Sequence, residues 1–410
     1  MARGFRGKVW AFLLVAVLVL TVVGCGGGQQ AKPEEKSEEK EGAAAPEGDI
    51  IIGHFAPLSG DTAAWGQMEI KGVQLAEEEV NKAGGVLGRK IKIISYDDAG
   101  DKVQAVNVAK KLISQDKAVV LIGSQTSSNS MAANTVCEQL KVAAIGTAAT
   151  NPRVTVDENG KLRPYYFRVC FIDPFQGRAL AYFAAKRLNF KKAAILYDLT
   201  EDYSVGLNEA FQENFKELGG EIVCVESFKA GDEDFRAQLT KIKEYDPDMI
   251  LIPIYYKEGA LAMKQARELG IDATFIGGDG LESQVLIELA AGAAEGVYFS
   301  SHYSVDDPSP EVQGFIERFK AKFNGEVPDV NSALGYDAVM MAVDAIKRAG
   351  KAEPEAVRAA LEQVSGLKGV TGTLTIDPAT HNPLDKTVVI NTVKDGKIAF
   401  VERLDIKALQ

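Results

Sequence analysis

Histidine and cysteine are scarce: 3 His and 4 Cys in 410 residues. They stand far apart, so neither a zinc module with its paired spacings nor a disulfide-framed secreted domain is expected. His54, His302 and His381 accompany no nucleophile elbow, phosphate loop or metal motif. That removes the usual sequence grounds for catalysis, and neither a cofactor nor a metal is expected. Positive charge is also short. With 46 Lys and Arg against 57 Asp and Glu the net charge is −11, the wrong sign for a partner of nucleic acid. What remains is ordinary globular composition, 46% hydrophobic and 25% charged, at a length that suits two or three domains.

The N-terminus is specialised. Arg3, Arg6 and Lys8 precede an apolar run over 9–23 that only Thr21 interrupts. Such a run is short for a bilayer span and has the length of a signal-peptide core. It ends in Val22-Val23-Gly24-Cys25, which resembles a bacterial lipobox. The resemblance implies a lipoprotein signal peptide over 1–24, cleavage before Cys25 and diacylglycerol on its sulfur. Residues 25–48 contain no aromatic or branched aliphatic side chain. They cannot bury a core, and a disordered tether is expected. The body then starts at 49 and works outside the cytoplasm, anchored to a membrane at a cell surface or in a periplasm. A transcriptional regulator would carry a DNA-binding helix-turn-helix in this place instead.

The body alternates. Apolar, β-branched runs at 50–55, 90–96, 118–122, 142–145, 166–170, 193–197, 221–225, 249–252, 274–276 and 296–300 read as strands. Amphipathic stretches at 67–82, 102–115, 174–188, 203–218, 233–245, 257–269 and 283–291 lie between them. This is the pattern of βαβ units and parallel sheets. Ten strands exceed one comfortable open sheet, so an α/β fold of two doubly wound lobes is expected. Later, helical patterns at 309–323, 331–349 and 353–363 follow one another. Strands at 372–376, 387–393 and 397–404 close the chain, the last two around Asp395-Gly396, a hairpin signal.

Ligands of open α/β sheets sit beyond the carboxyl ends of strands. Those ends carry small, hydroxylic, aromatic or acidic residues. Ser127 and Ser128 stand where a helix starts, and offer either a plain cap or an anion site for a carboxylate. Thr150 is a further hydroxyl or a turn residue. Asp279, between glycines, is a turn former or a partner for an ammonium group. Trp65, in a glycine-flanked loop, is a cover for a ligand or local packing.

Taken together, the segments APLSG (56–60), GVQLAEEEVNKAGGVLG (72–88), YDDAGDKVQA (96–105), GSQTSS (123–128), GTAATNP (146–152), QARELGI (265–271) and GGDG (277–280) with AAEGVYF (293–299) resemble one family. It is the type I solute-binding proteins of ABC importers, in the leucine/isoleucine/valine group. The resemblance spans about 330 residues. It implies two Rossmann-like lobes joined by crossovers near 170–173, 300–303 and 376–378, with lobe 1 over 49–170 and 303–376 and lobe 2 over 171–302 and 377–410. It also implies capture of a free amino acid for delivery to permease subunits. In the site it implies, Ser127, Ala148 and Thr150, with Ala149 between them, hold the carboxylate and part of the ammonium. Tyr203, Tyr255 and Asp279 close from the other lobe, with Asp279 on the ammonium. Trp65 lies against the ligand side chain.

The sequence also departs from that group. Gln125 and Thr126 stand where the leucine binders are more apolar, and Asn331 stands near an aromatic position. A polar or small amino acid is therefore expected to bind at least as well as leucine. Gly100 and Thr126 occupy the apparent half-cystine positions, so Cys137, Cys170 and Cys224 are expected as free thiols in packed elements. The alternatives on this fold are an amide, urea or aromatic carboxylate as ligand, or a role as a ligand sensor.

Overall fold

The computed structural model describes residues 48–405. The expected signal peptide, Cys25 and nearly all of the tether lie outside them. The described residues fall in one compact unit, Ala45–Gln410. The chain opens with β1 (Ile50–Ala56), α1 (Ala63–Lys82), β2 (Ile91–Asp97), α2 (Lys102–Ser114), β3 (Val120–Ile122), α3 (Ser127–Leu140), β4 (Ala144–Gly146) and β5 (Tyr166–Arg168). It continues with α4 (Asp173–Tyr182), β6 (Lys192–Asp198), α5 (Asp202–Glu217), β7 (Glu221–Phe228), α6 (Arg236–Glu244), β8 (Met249–Ile252), α7 (Tyr256–Glu268), β9 (Thr274–Gly277), α8 (Gln284–Ala290) and β10 (Tyr298–Ser301). The last part comprises α9 (Pro310–Lys322), α10 (Val330–Ala349), α11 (Pro354–Leu361), β11 (Leu367–Gly369), β12 (Gly372–Leu374), β13 (Val388–Lys394) and β14 (Lys397–Leu404).

Two sheets result. The first runs β2-β1-β3-β4-β5, parallel throughout. The second runs β14-β13-β10-β9-β8-β6-β7, parallel from β10 to β7 and antiparallel where β13 and β14 are added. Each is covered on both faces, which is why the strands read as unbroken apolar runs. Along β3, Val120 and Ile122 enter a core shared with α1, α9, α10 and α11, while Leu121 enters a core with α2 and α3. In the second sheet, Ile250 and Ile252 face α6, α7 and α8, whereas Met249 and Leu251 face α4 and α5. The fold is thus two doubly wound lobes, and the chain passes between them after β5, after β10 and between β12 and β13.

Helices from the far end of the sequence complete the first lobe. α1 packs along α10 so closely that a Cβ on Gly72 would fall 1.9 Å from the Ser332 carbonyl oxygen. The closing hairpin forms where expected, with Asp395 and Gly396 both at positive φ (52° and 70°), as a two-residue primed turn requires. Other details differ from the sequence reading. The 372–376 run gives only β12, which pairs with β11 in a separate two-stranded ribbon. The 174–188 helix is α4 followed by a π turn over Phe183–Arg187. Trp65 is not in a loop: α1 begins at Ala63 and carries Trp65 in its first turn.

Cys137 and Cys170 are buried and Cys224 is half-buried, all three as free thiols. Burial pushes the Cys137 and Cys170 thiols up to about 12. His54 is a packed core residue, 3.1 Å from the Glu69 carboxylate through Nε2 and 3.0 Å from Ser95 Oγ through Nδ1. Among the described residues no helix is long and apolar enough to cross a membrane, and no cluster of His, Cys, Asp and Glu could hold a metal ion.

Candidate functional site

The carboxyl ends of the parallel strands in both lobes converge on one small cavity of about 20 Å³. The first lobe supplies Trp65, Gln125, Ser127 and Ala148, together with Val330, Asn331 and Leu334 of α10. The second supplies Tyr203, Tyr255, Asp279, Gly280 and His302.

On the first-lobe wall, α3 starts at Ser127 after Thr126, whose own side chain makes no cap hydrogen bond. The first amides of the helix therefore depend on groups from elsewhere, and they favour negative charge. Ser127 Oγ accepts from the Asn151 amide at 3.1 Å, which fixes the hydroxyl beside the helix end. The Ser128 amide donates to Glu201 of the second lobe at 3.3 Å, and Tyr255 Oη donates to the same carboxylate oxygen at 3.0 Å. Burial lifts the Glu201 carboxyl above its usual range. Ser128 Oγ and Asp202 are likewise bonded across the cleft, at 2.8 Å.

On the second-lobe wall, Asp279 follows β9 and opens a single 3₁₀ turn. Its amide donates to Gln176 Oε1 at 2.7 Å, and its Oδ2 lies 3.0 Å from His302 Nε2. His302 is stacked on Phe171, with ring centroids 3.6 Å apart. Burial pushes its pKa below the ordinary value, against the opposing pull of Asp279. The glycines of the GGDG segment make room for a tyrosine: a Cβ on Gly278 would sit 2.2 Å from Tyr203 Oη. Tyr203 and Tyr255 stack at 5.4 Å. Trp65 meets Tyr255 edge-on at 5.0 Å. Its Nε1–H donates to the Glu282 carbonyl oxygen at 2.9 Å, so this ring joins the lobes as well as lining the cavity.

Four of the residues singled out in the sequence do not line this cavity, the first being Ser128, whose amide and hydroxyl are taken up by Glu201 and Asp202. Thr126 faces an adjoining mouth that Gly100, Glu201, Tyr203 and Tyr255 also border. Ala149 is buried, and its carbonyl oxygen accepts from Arg168 Nη1 at 2.5 Å. Thr150 is fully buried beside the Asp173 carboxyl. Conversely, sequence reasoning missed His302, Glu201, Gln176 and Arg168 as parts of the site. Arg168 is fully buried and also donates to the Asn151 carbonyl oxygen at 2.9 Å, so it holds the loop after β4 in place. An arginine inside the otherwise apolar run Tyr166–Cys170 was the available signal.

Residues 49–397 match the model of a family described as periplasmic binding protein. The chain belongs to the periplasmic binding protein family. Among its relatives is a leucine-, isoleucine-, valine-, threonine- and alanine-binding protein of Pseudomonas aeruginosa. It is 32% identical over 80% of this chain and 86% of its own length. A solved leucine-binding protein from Thermotoga maritima is 37% identical, with a TM-score of 0.82 over 88% of this chain and 99% of that one. The branched-chain amino acid transporter substrate-binding protein of Streptococcus pneumoniae, solved with isoleucine, is 34% identical. Its TM-score is 0.80 over 87% of this chain and all of that one. These relatives are solute-binding proteins, and the two-lobed architecture described above is theirs as well.

Proposed function

We propose that this periplasmic binding protein captures a free α-amino acid between its lobes and delivers it to the permease subunits of an ABC importer. It works outside the cytoplasm, held to a membrane by an acylated Cys25, with lobe 1 over 49–170 and 303–376 and lobe 2 over 171–302 and 377–410. The observation that carries the reading is the polarity of one cavity: the amide end of α3 with Ser127 on one wall, the Asp279 carboxylate on the other. A zwitterion taken out of water needs both charges paired and hydrogen-bonded, and this cavity offers one partner for each.

In this reading Ser127 and the backbone at Ala148 receive the carboxylate and Asp279 the ammonium. Tyr203 and Tyr255 close the second-lobe side, and Trp65 covers the ligand side chain. Thr126, Ala149 and Thr150 act from outside the cavity, by shaping the start of α3 and the loop after β4. The names of the relatives support an amino acid as cargo and a transporter as destination.

Calorimetry on protein freed of bound solute tests the reading. At least one α-amino acid is expected to saturate a single site. Asp279→Asn is expected to weaken it by about 2–5 kcal/mol, since it removes one member of a buried charge pair. Unchanged affinity in Asp279→Asn, or equal binding of a deaminated analogue, would assign the cavity to amides, urea or aromatic carboxylates instead.

A further inference from the structure

The first-lobe wall of the cavity contains a short chain of amide hydrogen bonds whose direction is fixed at one end. Asp329 caps α10: its Oδ1 accepts from the Ser332 amide at 2.9 Å, and its Oδ2 accepts from Asn331 Nδ2 at 3.1 Å. A carboxylate in that role accepts, so Asn331 must present its Nδ2 to Asp329 and its Oδ1 elsewhere. Asn331 Oδ1 accepts from Gln125 Nε2 at 3.1 Å. The same logic then fixes Gln125, and its Oε1 is left over. That oxygen is buried with no hydrogen-bond partner, on a residue only 2% exposed that lines the cavity. Buried polar atoms without partners are uncommon in native proteins, and each asks for an explanation.

We propose that Gln125 Oε1 is the specificity-determining atom of the cavity, and that it accepts a hydrogen bond from the side chain of the cargo. The proposal rests on the amino-acid reading above and narrows it: the ligand carries a neutral side-chain donor, a hydroxyl or a carboxamide. An acidic side chain is excluded, because it would set one acceptor against another. A purely hydrocarbon side chain leaves Oε1 desolvated and unpaired. Val330 and Leu334, beside Asn331 on the same wall, supply apolar surface for a methyl or methylene stem. Threonine meets both demands at once, with its hydroxyl toward Gln125 and its methyl toward α10.

Threonine and valine have the same shape and differ by one hydroxyl, so their ratio of affinities isolates this oxygen. Leaving one buried acceptor unpaired costs roughly 5- to 150-fold in an equilibrium constant. Titration calorimetry on the whole mature protein is therefore expected to give threonine at least fivefold tighter than valine, and asparagine tighter than leucine. In Gln125→Met the threonine preference over valine is expected to vanish or invert. Valine equal to or tighter than threonine in the unaltered protein overturns the proposal and leaves amino-acid capture standing. That comparison needs no variant, so a Gln125→Met protein that fails to fold does not shelter the idea. A preference that survives intact in a folded Gln125→Met protein also overturns it. If no α-amino acid binds, the amino-acid reading itself fails.

Discussion

A carboxyl group buried without a counter-charge has a cost that depends on pH, and Glu282 is such a group. It follows Asp279 on the second lobe and is 5% exposed. Its Oε2 has no hydrogen-bond partner. Burial foremost, with Asp329 and Asp279 nearby, pushes its pKa from 4.5 up to about 8. Between those values the folded protein binds a proton that the unfolded chain does not, so stability falls as pH rises through the window. Below pH 4.5 both states are protonated and the cost is absent. Glu282→Gln removes the titration while keeping the shape. It is expected to leave the melting temperature nearly unchanged at pH 4.5 and to raise it at pH 9, where the gain in stability is on the order of 5 kcal/mol. Equal melting curves at pH 9 would refute the assignment. Glu282 gives no sign of this in the sequence, where it looks like any charged residue before a helix. Asp279 and Ser127 were legible because they stand at strand ends as an acid between glycines and a hydroxyl at a helix start, whereas Tyr203 and Tyr255 were legible only through the family resemblance. His302 was not, because its role depends on two crossovers meeting in space, and no spacing in the chain encodes that contact.

At the scale of elements, legibility followed burial. Strands covered on both faces announced themselves as apolar runs, whereas β11 (Leu-Lys-Gly) lies on a small ribbon and has no such pattern. The start of α1 was hidden for a different reason. Gly60-Asp61-Thr62 reads as turn chemistry, and Thr62 makes no side-chain cap bond, so nothing local marks a helix before Gln67. What holds that first turn is the second lobe: the Ala64 amide donates to Tyr256 Oη at 3.2 Å, and Lys257 pairs with Asp61 at 2.7 Å. The packing of α1 on α10 was equally invisible, since it joins segments far apart in the chain. It has a sharp test. Gly72→Ala places a methyl group into the Ser332 carbonyl and is expected to force the helices apart, at a cost of about 1–3 kcal/mol. Urea denaturation should show the midpoint falling. An unchanged midpoint would mean that the two helices give way freely.

For the whole molecule, the sequence carried the fold well, because alternation of strand and helix dictates a doubly wound arrangement and ten strands dictate two lobes. It carried attachment only as a motif. Cys25→Ala is expected to yield protein that either retains its signal peptide or appears in the soluble fraction. Mature, acylated, membrane-bound Cys25→Ala protein would dispose of the lipobox reading. The close seam between α1 and α10 has a consequence in time as well as in space. The core beneath β1 and β3 needs Val312 through Ile376 to be complete, and these residues are made more than two hundred positions after Val80. At a synthesis rate of about 5–20 residues per second, the first lobe stays unfinished for roughly 10–50 s while the rest of the chain is produced. A protein that must be threaded across a membrane before it folds gains that interval from the order of its helices alone.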